Sequence, residues 1–382
     1  MRILYITTIS AAMGFFENRI LRLLEEGHQV EIACNEADSP ALTVYRERGC
    51  KIYPLSCTRS VTSRGNLKAI GQIRRIAEKN QYDIVHCHTP IAAACTRLAC
   101  RSVRRTGTKV MYTAHGFHFF KGAPLSNWLL FYPVEWLCSF WTDVLITINR
   151  EDFAAAKRLH AKKVEFVPGV GIDLERFRPR VRNKAEIRKE LGIPEDAFVL
   201  MSAGELNENK NHQVIIQAVA ACKQQKLHYL IAGKGEKAPK LKRLAQERKV
   251  AERVHLLGYR TDIHELLCSA DVYVHPSFRE GLPVAVMEAM ASGLPCVASD
   301  IRGNRDLLGA DGEGGYLCKP SDVQGFTAAI DSLLRSDTTR RKMGERNARI
   351  SENFANEKIF ERIREIYGRY SQNRYIRKTL LS

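Results

Sequence analysis

None of the chain's eleven cysteines falls in a C-x-x-C pair. That removes the common zinc and dithiol signatures. Cys87, Cys268 and Cys296 sit in apolar runs instead, as reduced, buried thiols of a cytosolic protein do. The opening run, Met1-Arg-Ile-Leu-Tyr-Ile6, has neither the long apolar stretch nor the small-residue cleavage site of a signal peptide. No G-x-G-x-x-G follows it, so a dinucleotide is not indicated. No D-x-D cluster suggests a divalent metal. Zinc-finger spacing, RNA-recognition signatures and basic heptads are missing too. The formal net charge of +17 therefore points less to nucleic acid than to an anionic membrane surface. Uninterrupted apolar length is also scarce. The most apolar stretch, 128–148, carries Pro133, Glu135 and Asp143 inside it, which argues against a membrane span. It reads as a buried helix followed by a strand over 144–148.

What is present alternates. Strand-like runs at 2–8, 28–34, 51–55, 83–86 and 109–113 are separated by helical patterns, and a second series runs through 197–202, 229–232, 254–257, 272–275 and 296–298. Such alternation predicts parallel, doubly wound sheets. At 382 residues the chain is long enough for two such domains. The stiff V-P-G-V-G-I-D segment ending at Asp173 marks the boundary, giving domains at 1–175 and 176–357. The basic run over 59–109, with Arg64, Lys68, Arg74, Arg75, Arg97, Arg101, Arg104 and Arg105, predicts an electrostatic docking surface, with aromatic residues near Phe119-Phe120-Lys121 dipping into the interface. His86-Cys-His88 and His115-Gly-Phe-His118 each follow a strand. No carboxylate joins them at ligand spacing, so a metal site is disfavoured. Gly14, in the first βα turn, is placed for close approach to a ligand, although a merely short loop explains it equally well.

The densest signal is PSFREGLPVAVMEAMASGLPCVASD, at 276–300. A strand leads into a loop broken by Gly281 and Pro283, and a short helix follows. That order turns free peptide N–H groups, among them those of Gly281 and Leu282, and the positive end of a helix toward one spot. Glu280 and Glu288 flank it. Carboxylates do not favour a phosphate but accept hydrogen bonds from hydroxyls. Amides for phosphate beside carboxylates for hydroxyls describe a nucleotide-sugar site. Lys210, in GELNENKNH, stands near another helix start, where its charge adds to the dipole. A second Gly turn, G-K-G-E at 233–236, and Tyr259, after the strand at 254–257, lie at corresponding positions.

E-x7-E in this setting resembles the retaining glycosyltransferases of family 4, of GT-B architecture. The string SFREGLPVAVMEAMASGLPCVASDIRGNRDLL resembles their capsule and exopolysaccharide branch. ITTIS, DIVHCHTP, TAHGFHFF, PGVGID and GELNENKNH extend the resemblance over nearly the whole chain. It implies two Rossmann-like domains facing across a cleft, the first on the acceptor side and the second holding the nucleotide sugar. It also implies a last helix, about 358–382, that packs back on the first domain. The implied donor is a UDP-hexose or UDP-N-acetylhexosamine, and no metal or other cofactor is needed. The implied acceptor is a saccharide linked to a lipid such as undecaprenyl diphosphate, met by an enzyme peripheral on the inner face of the membrane. Carried onto this chain, Glu280, His115 and Lys210 act on the transferred sugar and the leaving diphosphate. Gly14, Glu205, Lys210, Tyr259, Arg279, Glu280, Gly281, Leu282, Pro283 and Glu288 surround the donor, with Tyr259 in a loop that lines the base pocket. Many relatives have Arg where this chain has Glu205. Arg279 is expected either to replace that cation or to pair with Glu205. A nucleotide-sugar 2-epimerase and a non-catalytic donor-binding subunit remain as alternatives.

Overall fold

Short apolar runs buried on both faces form two all-parallel sheets in the computed structural model, which describes residues 1–178 and 184–371. Burial is continuous along the inner residues of β1 (Arg2–Ile9), as a strand covered by helices on both sides requires. One unit comprises Met1–Gly171 and the chain from Asn356 on; the other is Ile172–Ala355.

In the first unit β1, β2 (Gln29–Asn35), β3 (Ile52–Pro54), β4 (Ile84–His88), β5 (Lys109–Ala114), β6 (Val144–Thr147) and β7 (Lys163–Phe166) pair in the order β3-β2-β1-β4-β5-β6-β7. In the second, β8 (Phe198–Ala203), β9 (Leu227–Ala232), β10 (Val254–Gly258), β11 (Val272–His275), β12 (Cys296–Ser299) and β13 (Gly315–Cys318) pair as β10-β9-β8-β11-β12-β13. The chain leaves β1 toward one edge and β4 toward the other, and does the same at β8 and β11. In a doubly wound sheet the crevice at the carboxyl ends of such a strand pair is where ligands bind.

The C-terminal helix, Asn356–Ser371, buries Ile359, Phe360, Ile363, Ile366 and Tyr367 among Ile3, Tyr5, Ile20 and Val30 of the first unit. Tyr367 Oη lies 2.6 Å from Tyr5 Oη and 2.5 Å from His86 Nδ1. At about 2 kcal/mol per buried side chain, the docking contributes about 10 kcal/mol as an upper bound. The stretch of the expected helix beyond Ser371 lies outside the described residues.

Several expectations are corrected here. His86 and His88 lie inside β4 rather than after it, and both are fully buried. Residues Leu125–Ser139 do form a helix, but most of it is exposed, with only Glu135, Cys138 and Ser139 buried. Its apolar residues run all the way round, so no stripe in the sequence marks which side faces inward. Arg97 does not join the basic surface. It is fully buried, donates to Glu135 at 2.8 Å and lies 4.3 Å from the centre of the Tyr112 ring. Phe119 is likewise buried, stacked on Phe117 at 4.7 Å. Of the free thiols all but the half-buried Cys268 are buried, and burial pushes those of Cys57 and Cys296 up to about 11 and about 12, which leaves them unreactive.

Candidate active site

The crevice between β8 and β11 gathers the charged groups of the second unit. Three asparagines shape the loop after β8, and two of them hold it to the loop after β11. Asn207 Oδ1 accepts from the Lys210 N–H at 3.0 Å, fixing the turn. Asn209 Nδ2 donates to the Arg279 carbonyl at 2.9 Å, and the Phe278 N–H donates back to the Asn209 carbonyl at 2.8 Å. Asn211, in a left-handed conformation, donates to the carbonyls of Pro276 (3.1 Å) and Pro320 (2.7 Å). These bonds place Lys210 Nζ 2.7 Å from Glu280 Oε1. Gly204 leaves the room: a Cβ there would lie 3.2 Å from Lys210 Cε.

His275, the last residue of β11, sets its Nε2 3.5 Å from the same Glu280 oxygen and 3.2 Å from Ser277 Oγ. Burial alone would raise the Glu280 carboxyl, but hydrogen bonding from His275 and the charge of Lys210 hold it well below the usual carboxylate range. Burial lowers His275, so its imidazole is neutral near pH 7. The Glu280 carbonyl accepts from Arg302 Nε at 3.2 Å. Gly303 lets that segment approach, since a Cβ there would fall 2.4 Å from the Gly281 carbonyl.

Gly281, Leu282 and Pro283 lead into the helix Val284–Ala291, with Pro283 as its N-cap residue. Glu288 lies in that helix, and burial pushes its carboxyl up to about 7. The same helix thus carries at its mouth a carboxylate fixed as an anion, and within it one poised to ionise near neutrality.

The other residues singled out from sequence are placed differently. Glu205 is exposed and accepts from Asn207 Nδ2 at 3.0 Å. Among the described residues it makes no ion pair with Arg279, so the expected pairing is not formed. Tyr259 follows β10 and is 69% exposed, with Lys234 Nζ 5.7 Å from its ring centre. Gly233, by contrast, is a packing glycine, since a Cβ there would fall 1.8 Å from the Gly204 carbonyl. Gly14 and His115 belong to the first unit. Gly14 is exposed within a 3-10 turn, Ser10–Phe16, with open space where a Cβ would be. His115 directly follows β5; its Nε2 lies 3.1 Å from His88 Nδ1, and burial followed by the Arg19 charge lowers it to about 4. Among the described residues no group of His, Cys, Asp or Glu is arranged to hold a metal ion.

His275, Arg302 and the asparagine staples are not among the residues that the sequence singles out. His275 had one available signal, its position as the last residue of a strand ahead of the motif loop. Arg302 had none, because its contact with the Glu280 carbonyl is made across 22 positions of chain.

Comparison with known proteins gives this geometry a setting. The family described as "Glycosyl transferases group 1" matches residues 183–350, and "Glycosyl transferase 4-like" matches residues 2–149. EpsD of Bacillus subtilis (strain 168), whose name places it among glycosyltransferases, is 40% identical over 83% of this chain and 84% of its own. The UDP-Gal:alpha-D-GlcNAc-diphosphoundecaprenol alpha-1,3-galactosyltransferase of Escherichia coli is 31% identical over 82% of this chain and 81% of its own. Among solved structures, Anabaena HepE in complex with UDP superposes with a TM-score of 0.81 at 18% identity, covering 96% of this chain and all of that one. WaaG, a glycosyltransferase involved in lipopolysaccharide biosynthesis, gives 0.74 at 18% identity, covering 96% and 99%. The fold is that of the GT-B proteins.

Proposed function

The chain belongs to the group 1 glycosyltransferases, and we propose that it moves a hexose or N-acetylhexosamine from a UDP-sugar to a lipid-linked saccharide, with retention of configuration, in building a capsule or exopolysaccharide. The observation that carries this reading is the Lys210–Glu280 pair at the crevice between β8 and β11, beside the N-terminus of the helix that bears Glu288. Cleaving a sugar–phosphate bond leaves charge on the diphosphate. Lys210 Nζ, at 2.7 Å from its carboxylate partner, is a fixed cation that the incoming phosphate can share. The Gly281 and Leu282 amides supply aligned dipoles, with Arg279 in the adjoining loop and Arg302 at the start of the helix Arg302–Leu308. Glu280 is held ionised and accepts hydroxyl hydrogen bonds from the sugar, while Glu288 accepts those of the ribose. His115, the remaining residue in this scheme, acts on the transferred sugar. In this scheme no metal is required, and the leaving phosphate oxygen takes the acceptor proton.

The E. coli relative acts with UDP-Gal on a diphosphoundecaprenol-linked sugar, which supports both halves of the proposed substrate pair. A lipid-linked acceptor and the excess of basic side chains together support a peripheral location on the inner face of the cell membrane. The test is a panel of UDP-sugars with purified protein, read first as UDP release and then as transfer to a lipid-linked acceptor. UDP release that rises with acceptor supports transfer. Interconversion of donors without acceptor would identify an epimerase, and binding without turnover a donor-binding subunit.

A further inference from the structure

The helix Leu125–Ser139 presents to solvent what a globular protein ordinarily buries. Leu129, Leu130, Pro133, Trp136, Leu137 and Phe140 recur at helical spacing along its outward side. Leu129 is 72% exposed and Leu137 49%. The only charged residue of the helix, Glu135, points inward to Arg97 and Tyr112. A contiguous apolar face of this kind marks a surface that is covered in use. Among the described residues no helix is long and apolar enough to cross a membrane, and this one, at about 22 Å, is shorter than the hydrocarbon core.

What covers it is indicated by its flank. At the carboxyl end of the helix Phe140 and Trp141 open onto a cleft of about 790 Å³ lined by Arg74, Arg101, Arg105 and Lys162. Arg101 stands 5.0 Å from the centre of the Trp141 ring. Among the described residues Arg74, Arg101 and Arg105 are exposed and make no ion pair, and the one acid lining the cleft, Glu78, accepts from Ser102. Apolar side chains beside unpaired guanidinium groups, with tryptophans between them, match the boundary between acyl chains and anionic headgroups. An apolar protein partner would not call for the cations.

We infer that Leu125–Ser139 is an interfacial helix that lies in the plane of an anionic bilayer, with its outward leucines among the acyl chains and the Arg101–Arg105 cleft on lipid phosphates. The inference rests on the membrane association proposed above and locates it. It moves the contact away from the buried Phe119 and Arg97.

The experiment is co-sedimentation of the full chain with phosphatidylglycerol-containing vesicles and with phosphatidylcholine vesicles. Wild type binds the first in a salt-sensitive way. L129E/L137E weakens that binding at least about a hundredfold, the loss of two interfacial leucines. R101A/R105A weakens it about thirtyfold at low salt, and leaves residual binding to phosphatidylcholine unchanged. Both variants keep the wild-type circular dichroism, melting temperature and UDP release from donor in solution. Equal vesicle binding by wild type and L129E/L137E would overturn the assignment, as would wild-type protein that ignores both vesicles. If light scattering shows that L129E/L137E turns a dimer into a monomer while vesicle binding persists, the face is a contact between copies and the inference fails. A chain that releases UDP from no donor yet binds vesicles through this helix would sink the proposed reaction and leave this inference standing.

Discussion

Replacing Lys210 by alanine tests the proposed chemistry at its centre. Lys210 is paired with Glu280 at 2.7 Å, with the two side chains 21% and 17% exposed. Removing the cation leaves a carboxylate that His275 still faces at 3.5 Å. The folded state therefore loses one partner of a partly solvated pair, about 1 to 2 kcal/mol after allowance for screening. Catalysis should lose more. One preorganised group that stabilises transition-state charge is worth about 3 kcal/mol, or about two orders of magnitude in kcat. Lys210→Arg keeps the charge and should recover part of the loss, while Lys210→Met should not. The assay is initial-rate transfer at saturating donor and acceptor, with melting temperature measured on the same samples. Glu280→Gln, and the double variant with Lys210→Ala, complete a cycle that separates the pair's structural coupling from its catalytic one. A loss in kcat below tenfold in Lys210→Ala, with the protein folded, would refute the role of that cation.

Glu288 gives a pH signature. Its carboxyl is raised to about 7 by burial, so stability is present below the ordinary carboxylate value and is lost as the pH rises through about 7. Ribose hydroxyls favour the ionised form, so kcat/KM for the donor should climb over the same window. Glu288→Gln should flatten both profiles, and an unchanged climb would exclude Glu288 as its source. Asn209→Ala removes one of the side-chain bonds that align the two site loops and should lower kcat by about tenfold through loss of alignment, with only about 1 kcal/mol of stability lost in denaturant titration. Tyr367→Phe removes a buried hydroxyl shared by Tyr5 and His86 and should lower stability by about 1 to 3 kcal/mol without changing vesicle binding. Ending the chain before Asn356 should leave the first unit unable to fold, read as loss of cooperative melting.

Much of the fold could be read from the chain because its parallel strands are buried on both faces and so appear as short, unbroken apolar runs. β11 falls at 272–275 in both readings, and the site loops follow because glycine and proline punctuate strand ends. β13 is not legible in the sequence: Gly-Tyr-Leu-Cys is short and starts on the second of two successive glycines, and its place at the sheet edge comes only from pairing with β12. The exposure of the Leu125–Ser139 helix is illegible for a different reason. Apolar composition measures what a residue would gain by leaving water, not whether anything covers it. Within the site, Lys210, Glu280 and Glu288 carry local signatures of turn and helix start. Glu205 and Arg279 do not meet, because asparagine amides, not a salt bridge, join their loops.

The return of Asn356–Ser371 to the first unit also sets an order of assembly. Domains usually finish folding as they leave the ribosome, the earliest first. Here the first sheet emerges early yet waits for Ile359, Phe360, Ile363, Ile366 and Tyr367, which are translated only after the whole of the second unit. At about 5–20 residues per second the intervening unit takes on the order of ten to forty seconds to synthesise. The later-made half can thus be complete before the earlier-made one, whose unfilled apolar groove stays open to chaperones in the meantime.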